Sequence, residues 1–155
     1  MTFIAGPYTA TYDASDLGIT QDGFRWSMTP LAQRIRGDNM GDTTQDAVHR
    51  GMSFTLEMIL EEYDKAGIVK LLWPVHATFG NHGQAGKLYT NLTKSLVLTA
   101  VAGTTASTVP ATMTFPYAIV DPDFANTFNF EAKLRVLPVR LLILPNANNV
   151  FFTQT

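Results

Sequence analysis

No cysteine occurs among the 155 residues, which excludes a disulfide scaffold, a thiolate zinc site and a cysteine nucleophile. Charge is scarce: charged side chains make up 15% of the chain, against about 25% in ordinary globular domains. A basic excess is missing too, with 11 Lys and Arg against 13 Asp and Glu and a net charge of −2. Proteins that grip nucleic-acid phosphates carry the opposite balance. So little charge implies either an unusually neutral surface or one covered by partners. Long apolar runs are also lacking. The most apolar window, Leu134 to Leu144, contains Pro138 and Arg140 and is about half the ~20 residues of a spanning helix. Met1 to Ala10 holds no basic residue and only the short apolar stretch Phe3-Ile4-Ala5, so no secretory signal and no membrane partner are expected, and the chain should be soluble and made in a cytoplasm.

The length suits one domain over residues 1–155, large enough to bury ~69% of its unfolded surface without staples. No linker or internal repeat divides it. Up to Gly51 the chain has six Asp, no Glu, four Arg and no Lys, whereas every Glu and Lys lies beyond. Period-two alternation dominates. Met52, Phe54, Leu56, Met58 and Leu60 alternate with Ser53, Thr55, Glu57 and Glu61, broken only at Ile59; a helix would scatter them around its circumference, so a strand is expected. Phe24, Trp26 and Met28 alternate with Arg25, Ser27 and Thr29, and Met113, Phe115, Tyr117 and Ile119 form a third set. Tyr8 to Tyr12 and Leu96 to Val101 are shorter candidates. Leu134 to Leu144 is apolar on both faces apart from Arg135 and Arg140, as in a strand covered on both sides, with Pro138 at a bulge or an unpaired edge. One helix is expected, capped by Asp64, carrying Ile68, Leu71 and Leu72 at helical spacing and stopped by Pro74. Long polar loops are expected over Arg36 to Gly51, Phe79 to Lys87 and Ala102 to Pro110. The fold class is therefore mainly β, an antiparallel β-sandwich or barrel with one flanking α-helix.

Catalytic motifs fail one by one. Gly86-Lys87 lacks the P-loop's first glycine, since position 81 is Asn, and its hydroxyl, since position 88 is Leu. Gly51-Met52-Ser53-Phe54-Thr55 ends in Thr where a nucleophile elbow needs Gly, and its serine falls inside a strand. His49, His76 and His82 show no metal-ligand spacing, so no metal and no cofactor are expected. Glu61 and Glu62 are adjacent, and a strand points them to opposite faces. Arg36-Gly37-Asp38 is an integrin-type tripeptide made of ordinary turn residues. An assembly protein fits better than an enzyme.

The stretch Leu17-Gly18-Ile19-Thr20-Gln21-Asp22-Gly23-Phe24-Arg25 resembles the start of bacteriophage tail tube proteins, the major tail proteins. The resemblance continues at Ile35-Arg36-Gly37-Asp38, Gly41-Asp42, Gln45-Asp46 and Arg50-Gly51. It returns at Phe79-Gly80 through Gly83, Gly86-Lys87-Leu88, Leu96-Val97-Leu98-Thr99 and Val136-Leu137-Pro138-Val139-Arg140-Leu141-Leu142, with Gly6-Pro7-Tyr8 also fitting. These motifs are structural, and their order over most of the chain carries the likeness. It implies a homohexameric ring stacked into a tube, each subunit giving four strands to one shared inner barrel with the helix outside. With ~4.8 Å between strands tilted near 45°, twenty-four strands close at a circumference of about 160 Å, leaving a bore of about 40 Å inside the side chains. A DNA duplex passes through such a bore.

On that likeness Arg25, Ser27, Thr29, Ser53, Thr55, Glu57 and Glu61 are expected to face the lumen, with Arg25 near its rim and Glu57 repeated as a negative ring. The opposite set, including Met28 and Met52, should face the core. The loop over residues 36–51, with Arg36, Gly37, Asp38, Asn39, Met40, Gly41, Asp42 and Asp46, is expected to reach the adjacent ring, and Phe151-Phe152 to dock on a neighbour. The partners implied are further copies of the chain and other tail proteins, with DNA passing through unbound; the location implied is the virion tail, assembled in the host cytoplasm. A tail terminator, neck or baseplate ring of the same fold is the first alternative. A β-sandwich adhesion or carbohydrate-binding module and a small β-barrel enzyme are more distant ones.

Overall fold

The computed structural model describes residues 7–37, 41–62, 65–72, 88–101, 111–125 and 136–155. The elements run β1 (Tyr8–Tyr12), β2 (Ser15–Arg36), β3 (Thr44–Leu60), α1 (Ala66–Leu72), a 3-10 turn (Tyr89–Asn91), β4 (Lys94–Ala100), β5 (Thr112–Val120), β6 (Leu137–Leu144) and β7 (Thr153–Gln154). Every pairing is antiparallel, in the order β4-β1-β2-β3-β6-β5-β7, and β4 also pairs β5. The last pairing closes β1 to β6 into a barrel, which removes sheet edges within the barrel wall. The protein is mainly β, with one short flanking helix.

Within the barrel the strands send one face inward. Tyr8, Ala10 and Tyr12 from β1, Phe54, Leu56, Met58 and Leu60 from β3, Leu96 and Leu98 from β4, and Leu137, Val139, Leu141 and Ile143 from β6 are all buried together. Tyr12 and Ser15 are register partners across a two-residue turn in which Asp13 and Ala14 both have positive φ (50° and 59°), the conformation of a tight hairpin turn that matches strand twist. Thr20 is fully buried and satisfied, its Oγ1 accepting from the Tyr8 N–H at 2.9 Å.

Three expectations need correction here. In β5 Tyr117 is 40% exposed while Ala118 is buried, because the register against β4 gains one residue between Phe115 and Ala118. A bulge beside Pro116 flips the alternation. In β6 only one face is fully buried; Arg140, Leu142 and Leu144 are half-buried and Pro138 is exposed, so the strand is not covered on both sides. Pro138 pairs with Ile59 on β3, whereas the pairing with β5 begins at Leu141, so among the described residues the proline lies on a stretch paired along one side only. Phe151 and Phe152 do not stand ready for a neighbour. They stack on their own core, Phe151 on Phe54 with centroids 5.6 Å apart and Phe152 on Trp26 at 5.2 Å, held there by β7.

Ile68 and Leu71 bury the inner side of α1, as the spacing predicts. Asp64 and Pro74, expected at its ends, lie outside the described residues, as do the expected loops at 79–87 and 102–110. Gly67 brings the helix against β2: a Cβ there would lie 2.7 Å from the Asp16 carbonyl oxygen and 2.8 Å from that of Ser15. Lys70 Nζ meets Asp13 Oδ2 at 3.3 Å, and Lys65 Nζ meets Glu62 Oε2 at 2.9 Å.

Candidate assembly surface

β2 and β3 are far longer than their neighbours. β3 pairs β6 only over Phe54 to Leu60, and β1 pairs β2 only up to Ile19. Beyond Met28 and Phe54, which are partners, the two strands run on together as a two-stranded arm ending at Arg36 and Thr44. At ~3.3 Å per residue the arm projects about 26 Å. Both of its outer edges lack a strand partner among the described residues, so each carries a row of unpaired backbone groups. The loop expected over 36–51 is accordingly corrected. The connection is short, around Gly37 to Thr43, with Arg36 Nη1 and Asp42 Oδ1 3.3 Å apart, whereas Asp46 lies inside β3 opposite Ile35. Alternation had stopped being apolar there, and an arm without a core behind it has no reason to keep that pattern. Asp38, Asn39 and Met40 lie outside the described residues.

Register assigns the arm's two sides. On the side continuous with the core lie Met28, Pro30 and Met52, then Ala32, Arg34, Ala47 and His49. On the other lie Arg25, Ser27, Thr29, Ser53, Thr55 and Glu57, then Leu31, Gln33, Ile35, Asp46 and Val48. A bulge at Arg50, next to Gly51 at φ +141°, separates the proximal and distal halves. The apolar side therefore changes over: Met28 and Met52 are on the core side proximally, Leu31, Ile35 and Val48 on the opposite side distally. All five are exposed, between 37% and 53%. Met28 and Met52, expected in the core, are thus on the correct side but past the end of the barrel.

The expected lumen residues are brought together on one side. Arg25, Ser27, Thr29 and Ser53 are exposed and Glu57 is half-exposed; Glu61 is exposed but follows the last residue of β3. Thr55 departs from the expectation, being 9% exposed, set in register between Ser27 of β2 and Leu142 of β6. Glu57 is not a lone carboxylate either. It sits between two register partners, Arg25 on β2 and Arg140 on β6. Arg25 Nε donates to Glu57 Oε2 at 3.1 Å and its Nη2 contacts the same oxygen; Arg140 Nε lies 3.9 Å from Glu57 Oε1 and 2.9 Å from Asp121 Oδ2. Among the described residues the Arg140 Nε–H finds no aligned acceptor, so its contact with the nearly buried Asp121 is Coulombic. Two cations and two anions cancel, which overturns the negative ring. Spacing along one strand could show Arg25 and Glu57 but not their alignment. The signal for Arg140 was its place as one of two cations, with Arg135, in an otherwise apolar window.

Beside this ladder β2 bulges away from β3. Thr20 pairs Leu60 and Phe24 pairs Met58, so Gln21 to Gly23 oppose Ile59 alone, with Gly23 at φ +86°. The bulge opens a pocket of about 580 Å³ lined by Gln21, Arg25, Ile59, Phe124, Pro138 and Val139 among others. Arg25 and Glu57 of the ladder share its lining with these apolar side chains. His49 is exposed on the arm, and among the described residues no three His, Cys, Asp or Glu side chains come together as for a metal ion. His76, His82 and the Gly86-Lys87 motif lie outside the described residues.

Compared with known proteins, the chain matches no family model and no curated protein. Its reading rests on the residues and geometry above.

Proposed function

We propose that this chain is a virion structural subunit that assembles as stacked hexameric rings into a phage tail tube and forms the channel for genome ejection. The observation that carries this reading is the β2–β3 arm. An arm with two open strand edges and five exposed large apolar residues aggregates indiscriminately unless other chains cover it. Addition of a neighbour's strand to such an edge uses backbone hydrogen bonds over its full length. β2 and β3, whose edges are open along the arm, are the strands a neighbour's strand would join.

The side of that wall bearing Ser27, Thr29, Ser53 and the cancelled Arg25–Glu57–Arg140–Asp121 ladder would line the bore. Hydroxyls and paired charges offer phosphates little net attraction, so DNA would slide with little salt dependence, whereas an unpaired cationic lining would hold it. No cofactor enters the mechanism, which is geometric. The reading is tested by negative-stain microscopy and sedimentation of the purified chain. Long hollow tubes are the expected result; discrete rings would assign it to a terminator, neck or baseplate, and monomers at high concentration would overturn the assembly role.

A further inference from the structure

We propose that Asp121 is a positioning residue that holds Arg140 against the wall and so masks a phosphate-binding centre within the bore. On the tail tube reading, on which this rests, a passing duplex meets the ladder once per subunit. Its charges alternate, with Arg25 on β2, Glu57 on β3, Arg140 on β6 and Asp121 just past the end of β5, over about 14 Å at ~4.8 Å per strand. The two ends differ: the Arg25 side chain is 75% exposed, that of Asp121 4%. Asp121 is aimed by its own surroundings. Its N–H donates to the Arg140 carbonyl at 3.0 Å, and its Oδ1 accepts from the Asp123 N–H at 3.0 Å. Oδ2 is left to meet Arg140 Nε at 2.9 Å. The arginine therefore leans toward the end of β5, its side chain 35% exposed.

Stability alone does not call for this pair. The attraction within a buried ion pair roughly offsets the lost solvation, and apolar residues of similar size often serve as well. An apolar residue would also match its neighbours, because Pro138, Leu142 and Leu144 share that face of β6 with Arg140. With Ile59, the register partner of Pro138, they would make a continuous apolar strip along the wall. Arginine interrupts the strip and keeps the wall polar. Left alone it would grip phosphate, since the guanidinium fork matches phosphate oxygens. The Asp121 carboxylate removes that attraction and leaves the polarity. In a hexameric ring, its loss would free six guanidinium groups at one level of the bore.

Asp121→Asn keeps the Oδ1 acceptor for the Asp123 N–H and removes the charge. Filter retention of a short labelled DNA duplex, titrated with NaCl, reads the result on assembled tubes. Wild-type tubes are expected to retain little DNA at any salt concentration. Asp121→Asn tubes are expected to retain about tenfold more at low salt, with a log–log salt slope steeper by about 0.9 for each phosphate engaged. Adding Arg140→Gln to that variant is expected to return both readouts to wild type. A purely structural role for Asp121 would move neither the slope nor its reversal. Folded Asp121→Asn tubes that retain no more DNA than wild type overturn the masking. The same gain and reversal from rings or monomers that build no tube uphold the masking and overturn the tube reading. Where Asp121→Asn does not fold, Glu57→Gln, at a half-exposed site, is expected to raise retention and slope by releasing Arg25, and no gain from it overturns the proposal.

Discussion

Tyr12 is fully buried and donates its hydroxyl to the Ala118 carbonyl at 2.9 Å, joining β1 to β5 across the barrel. Burial, chiefly, and the Asp13 carboxylate next to it push its hydroxyl pKa well above the ordinary 10.0. A raised folded-state pKa means that the unfolded chain loses its proton first as pH rises. Stability from this group is therefore complete below pH 10 and falls above it, through the interval up to the folded pKa. Tyr12→Phe is expected to flatten that alkaline decline while costing about 1 kcal/mol near neutrality for the lost hydrogen bond. Denaturant melts of both proteins from pH 7 to 11 check this, and an unchanged alkaline slope would refute it. At this scale much was legible: the buried phases of β1 and of β3 from Phe54 onward follow from alternation alone. Tyr117 was not legible, since the bulge that turns it outward is set by pairing with β4.

At the scale of elements, α1 is seven residues long, too short to stand alone in water. It exists because Ile68 and Leu71 are buried and because Gly67 lets its backbone approach β2. Gly67→Ala would drive a methyl into the Ser15 and Asp16 carbonyls, and backbone cannot move aside as a side chain can. The expected cost is about 1–3 kcal/mol, read as a lower denaturation midpoint with an unchanged m-value; a midpoint equal to wild type would mean that the helix does not pack there. The sequence pattern located this helix through its apolar spacing but gave no reason for Gly67. The arm shows the converse. The polar stretch after Arg36 reads as a loop because polarity without alternation looks the same in a solvated loop and in a strand with no core behind it.

Across the whole molecule the carboxyl-terminal end cooperates with the longest strands. Phe151 and Phe152 stack on Phe54 and Trp26, and Phe152 lies 5.8 Å from Phe115, so the carboxyl-terminal segment covers the core where the arm leaves the barrel. Removing residues 150–155 is expected to cost about 3–5 kcal/mol, as for deletion of buried aromatic side chains, and to raise tryptophan solvent exposure. Thermal melts and fluorescence quenching of the truncated chain measure both, and a truncated chain as stable as the full one would show that the segment only decorates the barrel.

What the sequence determined by itself was local: period-two faces, a helix-sized apolar spacing, and a nearly neutral charge balance. These depend on neighbours in the chain, which are all that a pattern can register. Tertiary structure alone decided the closure of β4 on β5, the alignment of Arg25, Glu57 and Arg140 on three strands, and the emergence of an arm beyond the barrel. Each of these depends on which residues meet across strands distant in sequence, and register between strands is fixed by the packing of the whole barrel rather than by any one segment.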